Sequence, residues 1–469
     1  MFYDLVGPDI FNFSQHFFIY SMNRKIGFYS LVAIVIGSQI GSGLFILPAA
    51  LAEYGHMSLL GCLLSGVGAI FLSIVFGKLA RYYTGVGGPH VYVSNVFGFK
   101  YGFFTTWSYW IISFVSTTVV VLTAFSYITP IIENSIGKSL SKEAILVLEI
   151  FLILLFMILN LLGSTTSARM EMVLSLLKTL PLVILPIGCL FYFDTTHFTN
   201  GTFPVGSFNK ILSNSTLISF WGFIGLESGT TPSENVKNAT TISRALVVGT
   251  TLVAIIYFGI SIVVMGVIPL TALQGMDAPF MAIAQLILGG NWHIPIAIAV
   301  FIVCLGTLNA WIFVSGQIAA SAAKINMLPY LFTKTNKYGS PHYSILASSL
   351  GIIPFLILTL NNSLKKQLLD LIDVSVIIFL LVYALSTCSY CKLLWDNRIA
   401  RTKSNCIIGL LAMLFSIWMI VSAMSLFHLM VVGVIIASGI PSYLYMRNKS
   451  LISQEHTTTV TDISDKKSV

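Results

Sequence analysis

Apolar residues along this chain gather in long runs, divided by short polar stretches. A helix needs about twenty such residues to cross roughly 30 Å of hydrocarbon. Runs of the required length lie at 28–52, 58–80, 102–130, 144–162, 170–193, 211–230, 244–268, 293–323, 343–360, 368–394, 406–425 and 428–446. The pattern predicts an all-α membrane protein of twelve transmembrane helices, occupying 25–446. An N-terminal segment, 1–24, crowded with aromatics and expected to be cytoplasmic, precedes it, and a polar tail, 447–469, has little to bury and is expected to be disordered in the cytoplasm.

Composition points the same way. Of 469 residues 56% are apolar and 9% charged, with a mean hydropathy of +0.89, so the bilayer is the solvent. The net charge of +8 does not signal nucleic acid, because the basic residues are scattered over short loops. With the N-terminus cytoplasmic, nineteen of the 25 Lys and Arg fall in inside segments and five (Lys138, Lys142, Lys210, Lys365, Lys366) outside. That asymmetry places both ends in the cytoplasm. Lys178 is the remaining one, left inside a helix. The six cysteines lie in or beside apolar runs, where thiols act as small hydrophobes, and Cys388 with Cys391 forms a CxxC without a βαβ context. No disulfide, metal site or cofactor is expected. Residues 1–21 lack the features of a signal peptide, and Met22, before Asn23-Arg24-Lys25, is a candidate translation start.

A repeat narrows the function. Ile40-Gly41 is followed seven residues after the glycine by Pro48, and Ile224-Gly225 at the same interval by Pro232. The first and sixth spans, five apart, cross in opposite directions, as an inverted repeat of five plus five helices requires. The repeats cover about 25–193 and 211–394, leaving two extra helices over 406–446. GSQIGSG (37–43) and GFIGLESG (222–229) are too rich in glycine for ideal helix, each glycine costing ~1 kcal/mol relative to alanine. Both helices are expected to unwind there, which membrane depth tolerates where the freed backbone lines a cavity or meets a ligand. Gly37 with Gly41, and Gly225 with Gly229, also read as GxxxG packing motifs. The N–H groups after Gly41 suit a carboxylate and the carbonyls ending the first half of helix six suit an ammonium, so an α-amino acid fits both. Glu227 at mid-membrane costs ~2.5–3.5 kcal/mol on insertion scales and is a functional candidate by default.

IGSGLFILPA (40–49), SFWGFIGLES (219–228) with VKN (236–238), and CLGTLNAWIFVSGQIAASAA (304–323) resemble the amino acid, polyamine and organocation transporters, nearest the branch of the bacterial arginine/agmatine antiporter. The likeness runs from about residue 25 to 445. It implies the LeuT-type fold, often a homodimer through the last two helices. It further implies a site at Ile40, Gly41, Ser42 and Gly43, with Ser42 and Gly43 binding the carboxylate and the backbone of Trp221 and Ile224 accepting the amine. Trp221 would pack on the substrate stem, Trp311 stack on a distal cationic group, Ser375 make a polar contact and Tyr383 act as a gate. Tyr109 and Glu227 match a gate whose hydrogen bond must break for the pocket to open.

Two positions depart from that branch. Thr117 stands where the arginine-specific transporter has an asparagine, and Lys178, in LLKTLPL, resembles a lysine of other branches that replaces a sodium ion. A buried lysine can lose its proton, making Lys178 a candidate proton carrier or fixed counter-ion. Asp373 sits roughly 160° around the helix from Ser375 and reads as an outer-vestibule acid; Glu149 reads as interfacial. Trp107, Trp292, Trp395 and Trp418 suit anchoring or packing. GGPH (87–90) and the stretch to Gly102 look like a re-entrant cytoplasmic loop. The histidines show no HExxH and no GxSxG occurs; the stretch 132–139 ends like a phosphate-binding loop but lacks its first glycine. No enzyme is indicated.

The reading is a secondary transporter exchanging a cationic amino acid for a related amine or amino acid, in a bacterial inner membrane. The alternative is a proton-coupled importer of neutral amino acids.

Overall fold

The stretch Ile40–Ser42, where glycine-rich sequence meets an apolar run, does not hold helix. In the computed structural model, which describes residues 27–83, 88–163, 174, 188–199, 207–230, 236, 238–274, 276–360 and 364–465, α1 (Phe28–Gln39) stops there and α2 (Gly43–Leu51) restarts. Ile40 is extended at φ −81° and ψ 109°. The matching site in the sixth span behaves alike. After α7 (Phe208–Phe220) the chain tightens into a 3₁₀ turn, Trp221–Phe223, extends at Ile224, turns at Gly225 and resumes as 3₁₀ over Leu226–Thr230. Gly225 has φ +98°, a conformation that L side chains rarely adopt. Both expected interruptions are present at the expected residues.

The longer elements follow the predicted runs. They are α3 (Ser58–Tyr82), α4 (Pro89–Phe97), α5 (Phe99–Ile136), α6 (Lys142–Leu161), α8 (Ala239–Val267), α9 (Pro279–Leu288) and α10 (His293–Lys324). Then come α11 (His342–Leu350), α12 (Ile353–Thr359), α13 (Leu364–Trp395), α14 (Lys403–Ala423) and α15 (Leu426–Asp465). No β-strand occurs among the described residues. Eight of their helices are long and apolar enough to cross a membrane. The other four predicted spans have separate reasons for falling short: the first and sixth are interrupted, the ninth is divided between α11 and α12, and most of the fifth, with Lys178, lies outside the described residues. α15 continues as helix to Asp465, where the sequence predicts disorder from Arg447. Extending an existing helix adds a hydrogen bond for each residue fixed and needs no buried face.

Two groups of helices pack around the interruptions. α3 lies against α7 and α8, and α8 against α1; α5 lies against α10, and α6 against α10 and α11. α13 touches α3, α5 and α7, and so spans both groups. Close approach uses small residues, as helix pairs in lipid favour. A Cβ at Gly61 of α3 would meet Ser215 of α7 at 2.1 Å, and one at Gly77 would meet Ser243 of α8 at 2.7 Å. The last helix packs on α5 through Trp107, whose Nε1 donates to Ile435 O at 3.1 Å and Ser438 Oγ at 3.0 Å. Trp107 thus packs between helices, while Trp292 and Trp395 stand exposed.

α4 carries His90, 4% exposed, with Nε2 at 3.3 Å from Ser321 Oγ of α10 and Nδ1 without a partner among the described residues. Burial pushes the His90 imidazole down to about 4, below its unfolded value near 6.5. The neutral form is the one that packs, so stability is complete above pH 6.5 and falls as pH drops toward 4, by up to ~1.4 kcal/mol per pH unit. Melting temperature of the detergent-purified protein should decline over that range, and His90→Gln should flatten the decline. Gly225→Ala should cost ~1–3 kcal/mol, since its φ is unsuited to alanine and the added Cβ would meet Ser38 O at 3.1 Å; a melting temperature equal to the parent's would contradict it.

Candidate functional site

The interrupted helices meet, and their freed backbone groups find side chains on neighbouring helices. Ser38 Oγ lies 3.0 Å from Val35 O, 3.1 Å from Gly225 O and 2.5 Å from Ser228 Oγ. A hydroxyl has one proton, so Ser38 donates to one of these three oxygens, and where that is a carbonyl Ser228 is the donor of the contact between the two serines. Tyr257 of α8 donates to Gln39 O at 3.2 Å, capping the end of α1. Gly225 N–H donates to Tyr383 Oη of α13 at 3.4 Å. In α2, Phe45 O accepts from Tyr127 at 3.1 Å. Among the first N–H groups of α2, which have no carbonyl of a preceding turn to bond, only that of Phe45 turns back, to Ser42 O at 3.1 Å.

Glu227 sits between two phenols. Tyr109 of α5 donates to Oε1 at 2.6 Å and Tyr383 to Oε2 at 2.5 Å. All three side chains are buried. A carboxyl group away from water needs such donors, and hydrogen bonds to a charged acceptor contribute about 1.5–3 kcal/mol each. Beside them is a cavity of about 30 Å³, walled by Gly37, Ser38, Tyr109, Gly225, Glu227 and Ser228 on one side and Thr307, Ala310, Trp311 and Val314 of α10 on the other. That is room for about one water molecule. As it stands the hollow is too small for an amino acid.

Of the residues nominated from sequence, Tyr109, Glu227 and Trp311 line this cavity, and Tyr383 reaches Glu227 from behind. Ile40, Gly41, Ser42, Gly43 and Ile224 form the interruptions but lie outside its wall. A Cβ on Gly41 would come within 2.8 Å of Thr307, and one on Gly43 within 2.9 Å of Trp221. The glycines therefore combine the two roles considered for them, breaking helices and letting neighbours close in. Trp221 rests against Gly43. Thr117 stands eight residues beyond Tyr109 and Ser375 eight before Tyr383, each about 12 Å along its helix. The Thr117 hydroxyl donates to Ser113 O at 2.6 Å, whereas that of Ser375 is buried and has no partner among the described residues. Lys178 lies outside the described residues.

Ser38, Ser228, Tyr257 and Thr307 are not singled out by sequence reasoning. A signal does exist for two of them. Ser38 stands three residues before Gly41 and Ser228 three after Gly225, mirrored offsets that oppositely directed helices bring together.

Comparison with known proteins decides the family. The family model for amino acid permeases matches residues 26–449. The chain belongs to the amino acid permease family. A cadaverine/lysine antiporter of Escherichia coli (strain K12) is 29% identical over 361 residues, covering 75% of this chain and 79% of that protein. An arginine/ornithine antiporter of Pseudomonas aeruginosa is 26% identical over 456 residues, covering 92% of each. This permease is thus an integral, multi-pass membrane protein, similar over almost its whole length to amino-acid antiporters.

The clasp on Glu227 makes a graded prediction. Tyr109→Phe removes one donor, whereas Tyr383→Phe removes a donor and also the acceptor for Gly225 N–H. Each lost partner should cost about 1–3 kcal/mol. Melting of the two variants should therefore show Tyr383→Phe the less stable; the reverse order would mean that the contact to Gly225 contributes nothing.

Proposed function

We propose that this permease is a secondary amino-acid antiporter working by alternating access, exchanging a cationic amino acid such as arginine, ornithine or lysine for a related amine or amino acid. In this reading twelve helices form two LeuT-type inverted repeats of five with the last two outside, both termini face the cytoplasm of a bacterium, and two copies pair through the last helices. The observation that carries it is the meeting of two interrupted helices at Ser38 and Gly225, beside a buried carboxyl group. The α-carboxylate binds the N–H groups at Ser42 and Gly43, and the ammonium binds the carbonyls of Trp221 and Ile224. Trp221 turns from Gly43 onto the substrate stem, and Trp311 stacks on the distal cation. The Tyr109–Glu227–Tyr383 clasp closes one route and must break for that side to open. The names of the relatives, both antiporters of basic amino acids, support the substrate class.

A second reading is proton-coupled import of a neutral amino acid. Thr117 favours it: where the arginine-specific branch has an asparagine amide, the hydroxyl, with its proton given to Ser113 O, offers a guanidinium a single acceptor oxygen. Lys178 would carry the proton. Proteoliposomes distinguish the two. Exchange predicts that labelled arginine or lysine accumulates only against unlabelled internal substrate, and Trp311→Leu should weaken its binding roughly two- to thirty-fold through the lost cation–π contact. Accumulation driven by an imposed pH gradient alone, unaffected by internal amino acid, would overturn exchange. Lys178→Met with transport unchanged across a pH series would remove the second reading.

A further inference from the structure

We infer that the end of the bundle where α3 finishes and α14 begins is a binding site for the phosphate headgroup of an anionic phospholipid. Lys78 Nζ donates to Asn405 Oδ1, joining α3 to the first turn of α14. Arg81 stands one turn beyond Lys78, within electrostatic reach of it. Arg398, in the loop before α14, is within electrostatic range of Tyr83 at the end of α3. Arg401 lies 5.6 Å over the Trp395 ring. The three arginines are exposed, and Lys78 is set back between the helices.

Among the described residues no acidic side chain is seen paired with these four cations. Residues 54–132 contain no Asp or Glu, and neither do residues 397–454. Asp396, at the end of α13, is already bound to Lys392 at 2.8 Å. Like charges on one surface repel, and an anion bound among them relieves that repulsion. The surroundings select a lipid over a soluble anion. Tyr82 and Trp395 are 40% and 72% exposed, and such rings favour the level of the headgroups. Directly along α14, Ile407, Leu410 and Leu414 present an exposed apolar stripe at helical spacing, a bed for acyl chains beneath a bound phosphate. Basic pockets between helices at the cytoplasmic end of a bundle bind anionic headgroups for these reasons.

The test is made on the full chain in phosphatidylcholine nanodiscs into which phosphatidylglycerol is titrated, read by native mass spectrometry and by melting. Neither readout depends on transport, so failure here leaves the proposed function standing, and the reverse. Retained phosphatidylglycerol and a raised melting temperature are expected. Arg81→Gln/Arg398→Gln should lower apparent affinity about tenfold or more, each basic residue near the surface contributing about fivefold. Arg81→Lys/Arg398→Lys should retain binding, which separates lost charge from misfolding, and Lys138→Gln/Lys142→Gln at the opposite end should leave it unchanged. Equal response of the parent and the double glutamine variant, or a shift of the same size with inorganic phosphate alone, would overturn the inference.

Discussion

A backbone interrupted at membrane depth has no water to turn to, and the arrangement of this permease follows from how its two interruptions find partners. Gly225 is the hub. Its N–H goes to Tyr383 on α13 and its carbonyl lies within reach of Ser38 on α1, so one residue ties together three elements far apart in sequence. The end of α1 is held in turn by Tyr257 on α8. Each of these bonds fixes where a neighbouring helix can lie, because a helix that drifted away would leave a buried polar group unpaired at a cost of about 1–3 kcal/mol. The small residues of α3 let the neighbours come close enough for this to work.

Glu227 extends the same logic from backbone to side chain. The 3₁₀ turn that follows Gly225 brings its carboxyl group inward, where Tyr109 and Tyr383 approach from α5 and α13. Tyr383 thereby serves both the backbone of the interruption and the carboxyl group beside it. Movement of α13 relative to the sixth span disturbs both contacts together, so the interruption and the clasp form one mechanical unit.

Much of this arrangement is legible in the amino-acid sequence. Helix positions are readable because crossing a bilayer demands length and apolarity at once, a constraint few other segments meet. The interruptions are readable because glycine-rich stretches recur with prolines at matching intervals, and Glu227 because a carboxyl group at that depth is costly. Tyr109 and Tyr383 are reached only through family resemblance: tyrosines are frequent in this chain, and nothing in their local sequence marks which ones face Glu227. Tyr257 is illegible for the same reason. The Ser38–Ser228 contact leaves a trace in its mirrored offsets, but serines and threonines readily bond their own helix, as Thr117 does here, so the hydroxyls alone give no direction. The cavity's small size has no sequence signal at all, since it depends on how far helices approach.

The small size of the cavity bears on how exchange can be fast. On the proposed mechanism, an entering substrate finds part of its site already engaged: the Trp221 carbonyl accepts from Ile224 N–H at 3.3 Å, and the Trp221 ring covers Gly43 at the start of α2. Binding then replaces hydrogen bonds within the protein by hydrogen bonds to solute, and each replacement nets about 0.5–1.5 kcal/mol at most. A site whose groups stood bare would hold its first substrate tightly and release it slowly. One whose groups are partnered in the closed form binds more weakly but returns to a stable arrangement when the solute departs. For a protein that must take up one solute and release another in every cycle, the intramolecular contacts that fill the cavity therefore serve release as much as they serve stability.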